Sequence, residues 1–192
     1  MPRLIYLIRH APIETTGLSL IVGQMDLPAI IPDRPLQQDF PWQSNAVWII
    51  SPAQRAKQTA AYLGAIAPQH DPRLLEQAYG DWEGLTWNEL LKSDANAQAY
   101  LDAYHLMRPP GGESLGDVRS RCVRALKHWR ASTNQDLIFV CHAGPIRCLI
   151  AHALGLPTQN CTLIDIEPLS VSTLKDWDGQ ALTLVSSNQP LR

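Results

Sequence analysis

The chain has 192 residues, 45% of them hydrophobic and 18% charged, with a formal net charge of −2. That size and composition fit one globular domain, residues 1–192, able to bury roughly 70% of its unfolded surface, and they exclude a disordered chain. The charge balance gives no electrostatic case for nucleic acid, and no apolar run approaches the ~20 residues of a membrane span.

In chain order, the first predicted element is a buried strand, "LIYLI" (4–8), which runs directly into Arg9 and His10. It is too short and too soon interrupted by Arg9 for a signal peptide, so a cytoplasmic location is expected. Residues 28–45, with four prolines, read as an irregular loop. A second strand, "AVWII" (46–50), leads into an Ala-rich helix over 53–66, with Ser51 as its cap and Pro52 at its first position. Residues 84–112 read as a helical insertion ending in the turn "RPPGG". Helical spacing of Leu115, Val118, Cys122, Ala125 and Trp129 predicts an amphipathic helix over 113–129, with Glu113 and Ser114 either approaching the site or, the favoured reading, capping that helix. "LIFVC" (137–141) is a third strand, followed by a helix over 145–155 that starts at Pro and ends at Gly. "TLIDI" (162–166) reads as a fourth strand, and residues 169–187 as a hairpin turning at Asp178-Gly179. Strands alternating with helices predict a three-layer α/β/α fold on a mostly parallel sheet. The four cysteines, Cys122, Cys141, Cys148 and Cys161, form no C-x-x-C pair and read as reduced core residues.

Three strand ends carry the chemistry. The first ends in Arg9-His10, the second opens the helix that holds Arg55, and the third ends in His142-Ala143-Gly144. Alone, a strand-end arginine is an ordinary rim residue, a single histidine an ordinary satisfied polar group, and Ser51 a cap rather than a nucleophile. Together, four such groups lie where ligands bind in an open parallel sheet, beside two helix starts with free N–H groups. This is an anion site, most simply one for phosphate. No H-E-x-x-H, clustered Asp pair or Walker-type glycine loop is present, which disfavours metal hydrolysis and nucleotide-driven transfer of that kind. The remaining candidate nucleophile is a histidine whose other nitrogen is held by a backbone acceptor and whose proton affinity is lowered by the arginines. The acid for the leaving oxygen would come from "LLEQAYGDWEG" (74–84), which offers Glu76, Asp81 and Glu83.

"RHA", "SPAQRAKQTA", "LLEQAYGDWEG", "PPGGESLGDVRSR" and "VCHAGPIRCLI", in this order over roughly residues 3–155, resemble the histidine phosphatase superfamily, in its phosphoglycerate mutase-like branch. The resemblance implies a metal-independent enzyme without cofactor. In it His10 is the phosphorylated nucleophile, Arg9 and Arg55 grip the phosphate, His142 is the second histidine beside it, and Glu76 is the proton donor. Asp81 and Glu83 then become structural or rim residues. The family's phosphate-binding Asn position is Thr16 here, and "VGQMDLP" (22–28) resembles a G-x-x-D-x-P segment whose Gly23 amide meets phosphate. Ala11 and Ala143 stand where the family pattern has glycine, so Ala143 adds a methyl group where the backbone approaches phosphate. The family's T-x-x-G-x-x-Q-A helix has no counterpart, and the proline-rich loop stands in its place.

A mutase needs extra cations over the site, and between Leu85 and Pro110 only Lys92 and Arg108 occur, which favours a phosphatase over a phosphoglycerate mutase-type transferase. A non-catalytic phosphate- or phosphoprotein-binding module would be expected to lose the nucleophile or the acid. Trp87, Tyr100, Tyr104 and Met107 either pack the insertion onto the domain or face an apolar or aromatic leaving group. "RHAP", "GQMDLP" and "RPPGGES" resemble α-ribazole phosphatases, which implies α-ribazole 5'-phosphate as a specific candidate. The expected partner is a small phosphorylated substrate, with neither nucleic acid nor membrane, and a homodimer is one option for assembly.

Overall fold

The computed structural model describes residues 2–15, 19–33, 42, 45–177 and 179–191. In chain order its elements are β1 (Arg3–Arg9), β2 (Val47–Ile50), α1 (Gln54–Tyr62), β3 (Gln69–His70), α2 (Trp87–Ser93), α3 (Asn96–Ala103), α4 (Leu115–Ser132), β4 (Leu137–Cys141), α5 (Ala143–Ala153), β5 (Ser170–Trp177) and β6 (Ala181–Pro190). Short 3-10 turns lie at Pro72–Leu74, Gly80–Trp82 and Thr158–Leu163.

All six strands join one mixed sheet in the order β3-β2-β4-β1-β5-β6, parallel from β3 through β1 and antiparallel for the β5–β6 hairpin. The three central strands are apolar on both faces, as parallel strands covered by helices require. Their odd and even residues divide between two cores. Ile5, Leu7, Ile49, Leu137 and Phe139 pack with Val118, Cys122 and Leu126 of α4 and Ile146 and Leu149 of α5. Tyr6, Ile8, Trp48, Ile50, Ile138 and Val140 pack with Ala56 and Ala60 of α1. Each fully buried aliphatic side chain here contributes roughly 1.5–3 kcal/mol. A third cluster, Ile21, Trp82, Leu90, Ala97 and Tyr100, roots the insertion α2–α3 onto the body.

Register is what assembles a site. Arg9 lies opposite Cys141, and Ile50 opposite Val140, so β1, β2 and β4 end level with one another. The next residues stay tied across the sheet: His10 N donates to Cys141 O (2.9 Å) and Ser51 N to Val140 O (3.0 Å).

Several sequence expectations need correction. Residues 162–166 are not a strand; they begin in the Thr158–Leu163 turn and continue without sheet pairing. Their carbonyls serve arginines instead of a neighbouring strand: Arg147 Nε donates to Ile164 O (2.8 Å) and Arg9 Nη1 to Ile166 O (2.6 Å). The edge of β1 that such a strand would have used is taken by β5. Helix α1 stops at Tyr62, short of residue 66, with Gly64 at φ +78°. Strand β3 carries no apolar signal, both of its residues being exposed. Ser114 does cap α4, in a reciprocal box with Asp117, but Glu113 does not: its carboxylate accepts from Arg121 (2.8 Å) and Ala78 N (3.1 Å). The proline-rich loop 28–45 lies partly outside the described residues; those described in it, 28–33, 42 and 45, belong to no helix or strand. Asp178 of the predicted turn also lies outside them, while Gly179 holds φ +81° between β5 and β6. Among the described residues no helix is long and apolar enough to cross a membrane.

Candidate active site

At the tip of β1, His10 is buried and its Nδ1 lies 2.7 Å from its neighbour's carbonyl, Ala11 O. A carbonyl only accepts, so Nδ1 carries the proton and Nε2 keeps its lone pair. Burial lowers the His10 pKa to about 3, against the raising effect of the Ala11 bond, with the charges of Arg55 and Arg9 lowering it further. The turn is held from α1: Ala11 N donates to Thr59 Oγ1 (2.8 Å), which donates to Arg55 O (2.7 Å). Arg9 anchors one nitrogen on Ile166 O, and its buried Nε has no hydrogen-bond partner among the described residues.

Arg55 is 1% exposed yet reaches the cavity wall. Its Nη1 donates to Met25 O (2.6 Å), its Nη2 to Gly23 O (2.8 Å) and its Nε to His142 Nδ1 (3.2 Å). Three of five N–H groups are used, leaving two for an anion. Residues 20–26 thus form a strap across the site. It is tied to the insertion by Ile21 N on Leu85 O (2.8 Å) and clamped by Glu83, whose Oε1 accepts from Gln24 N (2.9 Å) and Tyr79 N (3.0 Å). Gly23 holds φ +51°, and a Cβ there would overlap the Glu83 carboxylate. Asp26 caps α1 through Gln54 N (2.7 Å), a task the sequence assigns to Ser51. Ser51 does not cap α1, whose N-cap is Ala53; it is fully buried, 2.8 Å from His142 Nε2.

His142 stands behind His10, ring centroids 5.0 Å apart, with no exposed surface and both ring nitrogens engaged. It supports the site from beneath and does not line the cavity. Ala143 and Gly144, at the start of α5, do line it. Glu76 accepts from Gly144 N (3.2 Å) and leaves no room for a side chain at 144. The segment carrying Glu76 is pinned by Arg121, which donates to Arg73 O (2.7 Å), Leu75 O (2.6 Å) and Glu76 O (2.9 Å) and is itself held by Glu113 (2.8 Å). Asp81 is exposed and Glu83 is a clamp.

These groups floor a cavity of about 630 Å³. Arg9, His10, Gly23, Arg55, Glu76 and Gly144 line it together with Ile13, Leu20, Tyr79, Trp87, Tyr100 and Leu101. Thr16 lies outside the described residues. Sequence reasoning missed three contributors. Arg147 lines the cavity and follows Ala143 and Gly144 at helical spacing, a pattern legible in the sequence. Tyr79 and Arg121 lie inside the motifs "LLEQAYGDWEG" and "PPGGESLGDVRSR", but neither the lining by Tyr79 nor the pinning of the Glu76 segment by Arg121 is marked by residue type or spacing. Lys92 and Arg108 do not line it, and Arg108 is paired with Asp117 (2.6 Å). Among the described residues no cluster of three or more His, Cys, Asp or Glu is set to hold a metal.

An α/β sheet whose level strand ends aim two arginines and an unprotonated histidine into one cavity defines a protein built to engage an oxyanion. The chain belongs to the histidine phosphatase superfamily (branch 1), whose model matches residues 5–190. It is 29% identical over 177 residues to a glucosyl-3-phosphoglycerate phosphatase of Mycolicibacterium vanbaalenii, covering 82% of this chain and 77% of that one. It is 30% identical over 175 residues to a 2,3-bisphosphoglycerate-dependent phosphoglycerate mutase of Methylobacterium radiotolerans, covering 81% of each. The fold is shared with the α-ribazole phosphatase of Shigella flexneri (TM-score 0.84, 22% identity, 97% of this chain and 96% of that one). It is shared also with a mycobacterial glucosyl-3-phosphoglycerate phosphatase (TM-score 0.80, 23% identity, 98% and 100%).

Proposed function

We propose that the chain is a metal-independent phosphomonoesterase that works through phosphohistidine at His10. The observation that carries this reading is His10 itself: an imidazole with Nδ1 bound to Ala11 O, its Nε2 lone pair free, and a pKa of about 3 that keeps it unprotonated at neutral pH. The Arg9 guanidinium lines the cavity with Arg55, whose two N–H groups unused among the described residues are set to hold the phosphoryl oxygens. In the first step Nε2 bonds to phosphorus, the bond to the leaving oxygen breaks, and the Glu76 carboxyl proton passes to that oxygen. In the second step water attacks phosphorus, Glu76 takes a water proton, and the N–P bond breaks to release phosphate and free His10. Positioned beneath, His142 holds Arg55. Four buried cysteines, none in a disulfide, accord with a cytoplasmic enzyme.

The substrate is a small phosphorylated metabolite. Tyr79, Trp87, Tyr100 and Leu101 give the cavity an apolar, aromatic lining, which supports α-ribazole 5'-phosphate as the specific candidate. A mutase has less support, because Lys92 and Arg108 stand away from the cavity. One observation favours a second reading. Arg147 lines the cavity and has no carboxylate partner among the described residues, so it can receive an acidic group on the leaving alcohol, as in a phosphoglycerate ester.

The test is hydrolysis of p-nitrophenyl phosphate in EDTA from pH 5 to 8. Wild type is expected to turn over and His10→Ala to lose activity at least about 1,000-fold. Phosphate binding without turnover would favour the binding module, and chelator-sensitive turnover a metal enzyme. Rates on α-ribazole 5'-phosphate, 3-phosphoglycerate and simple sugar phosphates then rank the substrates. No preference for the first removes it, and a preference for 3-phosphoglycerate that Arg147→Met abolishes establishes the acidic class.

A further inference from the structure

Ser51 is fully buried at the tip of β2 and does not cap the helix that follows. Its hydroxyl accepts from Ala53 N (3.3 Å) and lies 2.8 Å from His142 Nε2. Across the same ring, Nδ1 faces Arg55 Nε at 3.2 Å. A guanidinium only donates, so Nδ1 must hold a lone pair and the one proton of the neutral imidazole must sit on Nε2. Ser51 Oγ is therefore its acceptor. The opposite tautomer, or an imidazolium, would set Nδ1–H against Arg55 Nε–H.

The other two anchors of Arg55, Met25 O and Gly23 O, belong to the strap. His142 is the anchor that comes from the sheet, so it alone ties the angle of the guanidinium to the rigid strand ends that also carry His10. Burial, followed by the charges of His10 and Arg55, pushes the His142 pKa well below its ordinary value, in keeping with a neutral ring.

We propose that Ser51 is a positioning residue: by accepting the Nε2 proton of His142 it stabilises the tautomer that Arg55 requires, the one whose Nδ1 holds the guanidinium in its phosphate-gripping orientation. The proposal rests on the reading of this cavity as a phosphate site, not on turnover. Filling space alone, Ser51 would be replaceable by alanine without effect on the ring or on anion affinity. In its proposed role, Ser51→Ala leaves a buried donor unsatisfied, frees the ring to change tautomer and lets the guanidinium rotate away.

The deciding measurement is a long-range 1H–15N spectrum of the imidazoles in phosphate-free wild type, with His142 assigned by comparison with His142→Gln. The expected signature is protonated Nε2 and unprotonated Nδ1 between pH 6 and 8; the reverse tautomer, or an imidazolium, overturns the proposal without any need for a Ser51 variant to fold. Inorganic phosphate affinity supplies the second readout. Ser51→Ala is expected to weaken it about 5- to 100-fold, with KM for p-nitrophenyl phosphate rising in step, while Ser51→Thr, which keeps the hydroxyl, stays within about threefold. A folded Ser51→Ala with unchanged phosphate affinity and an unchanged His142 spectrum overturns it as well. If wild type binds phosphate with the expected spectrum but turns over no ester, the catalytic reading fails and the role of Ser51 stands.

Discussion

Each reactive side chain in this site owes its state to a partner that cannot change roles. Carbonyls and guanidiniums have one polarity, so Ala11 O decides which nitrogen of His10 is free and Arg55 decides which nitrogen of His142 is protonated. The pH dependence follows. A pKa lowered to about 3 means His10 stays deprotonated down to that value, so kcat/KM for p-nitrophenyl phosphate should show no His10 limb between pH 5 and 8. An acid limb near 6.5 that moved with changes around His10 would contradict the burial argument. Glu76 makes a separate prediction. Glu76→Gln removes the proton donor, and should slow hydrolysis of alkyl phosphates about 100- to 10,000-fold. Aryl esters, whose leaving oxygen is stable as an anion, should suffer less in the first step and accumulate phosphohistidine, seen as an acid-labile 32P adduct. Of these residues, Arg9, His10, Arg55, Glu76 and His142 were legible in the sequence as residues of the site. The role of Ser51 was not: next to a proline and a helix, a serine looks like a cap, and its true partner lies 91 positions away.

Among the elements, the strap over 20–26 shows how a segment with no regular structure becomes part of the machinery. Its carbonyls at Gly23 and Met25 orient Arg55, its Asp26 caps α1, and Glu83 clamps its backbone. Gly23→Ala would place a methyl group against the Glu83 carboxylate at φ +51°. The expected result is an intact far-UV spectrum with kcat/KM reduced about tenfold or more, because Arg55 loses two anchors at once. Asp26→Ala should cost about 0.5–2 kcal/mol in urea unfolding, the usual loss for a helix cap. Periodicity reads strand and helix cores well, since hydrophobic spacing is a local property. It misread residues 162–166, because an apolar run is equally consistent with a segment whose carbonyls are claimed by Arg9 and Arg147.

For the whole molecule, Asp176 joins parts of the chain far apart. From β5 it accepts from Arg3 at the start of β1 (2.8 Å) and from Arg130 near the end of α4 (2.6 Å), with no exposed surface of its own. Burial acts to raise its pKa, but the hydrogen bonds from Arg130 and Arg3 win and the pKa is lowered. A depressed carboxylate stabilises the fold above its unfolded pKa of ~3.9, and that contribution is lost as pH falls through the folded value. Stability should therefore hold through neutral pH and fall below about pH 4. In Asp176→Asn, urea unfolding should report a loss of about 3–5 kcal/mol at neutral pH, two partly buried arginines having lost their buried counter-charge. The acid-dependent part should shrink with it.

The sequence by itself determined the α/β class, the buried strands 4–8, 46–50 and 137–141, and the families of charge that end them. These rest on local spacing, on side-chain chemistry and on motifs read in order. Only the tertiary structure decided that β1, β2 and β4 end level, that Ser51 faces His142 instead of a helix, and that Arg121 pins the Glu76 segment. The reason is physical. Such contacts join residues tens of positions apart, and their hydrogen-bond polarity is set by whichever partner the packing delivers.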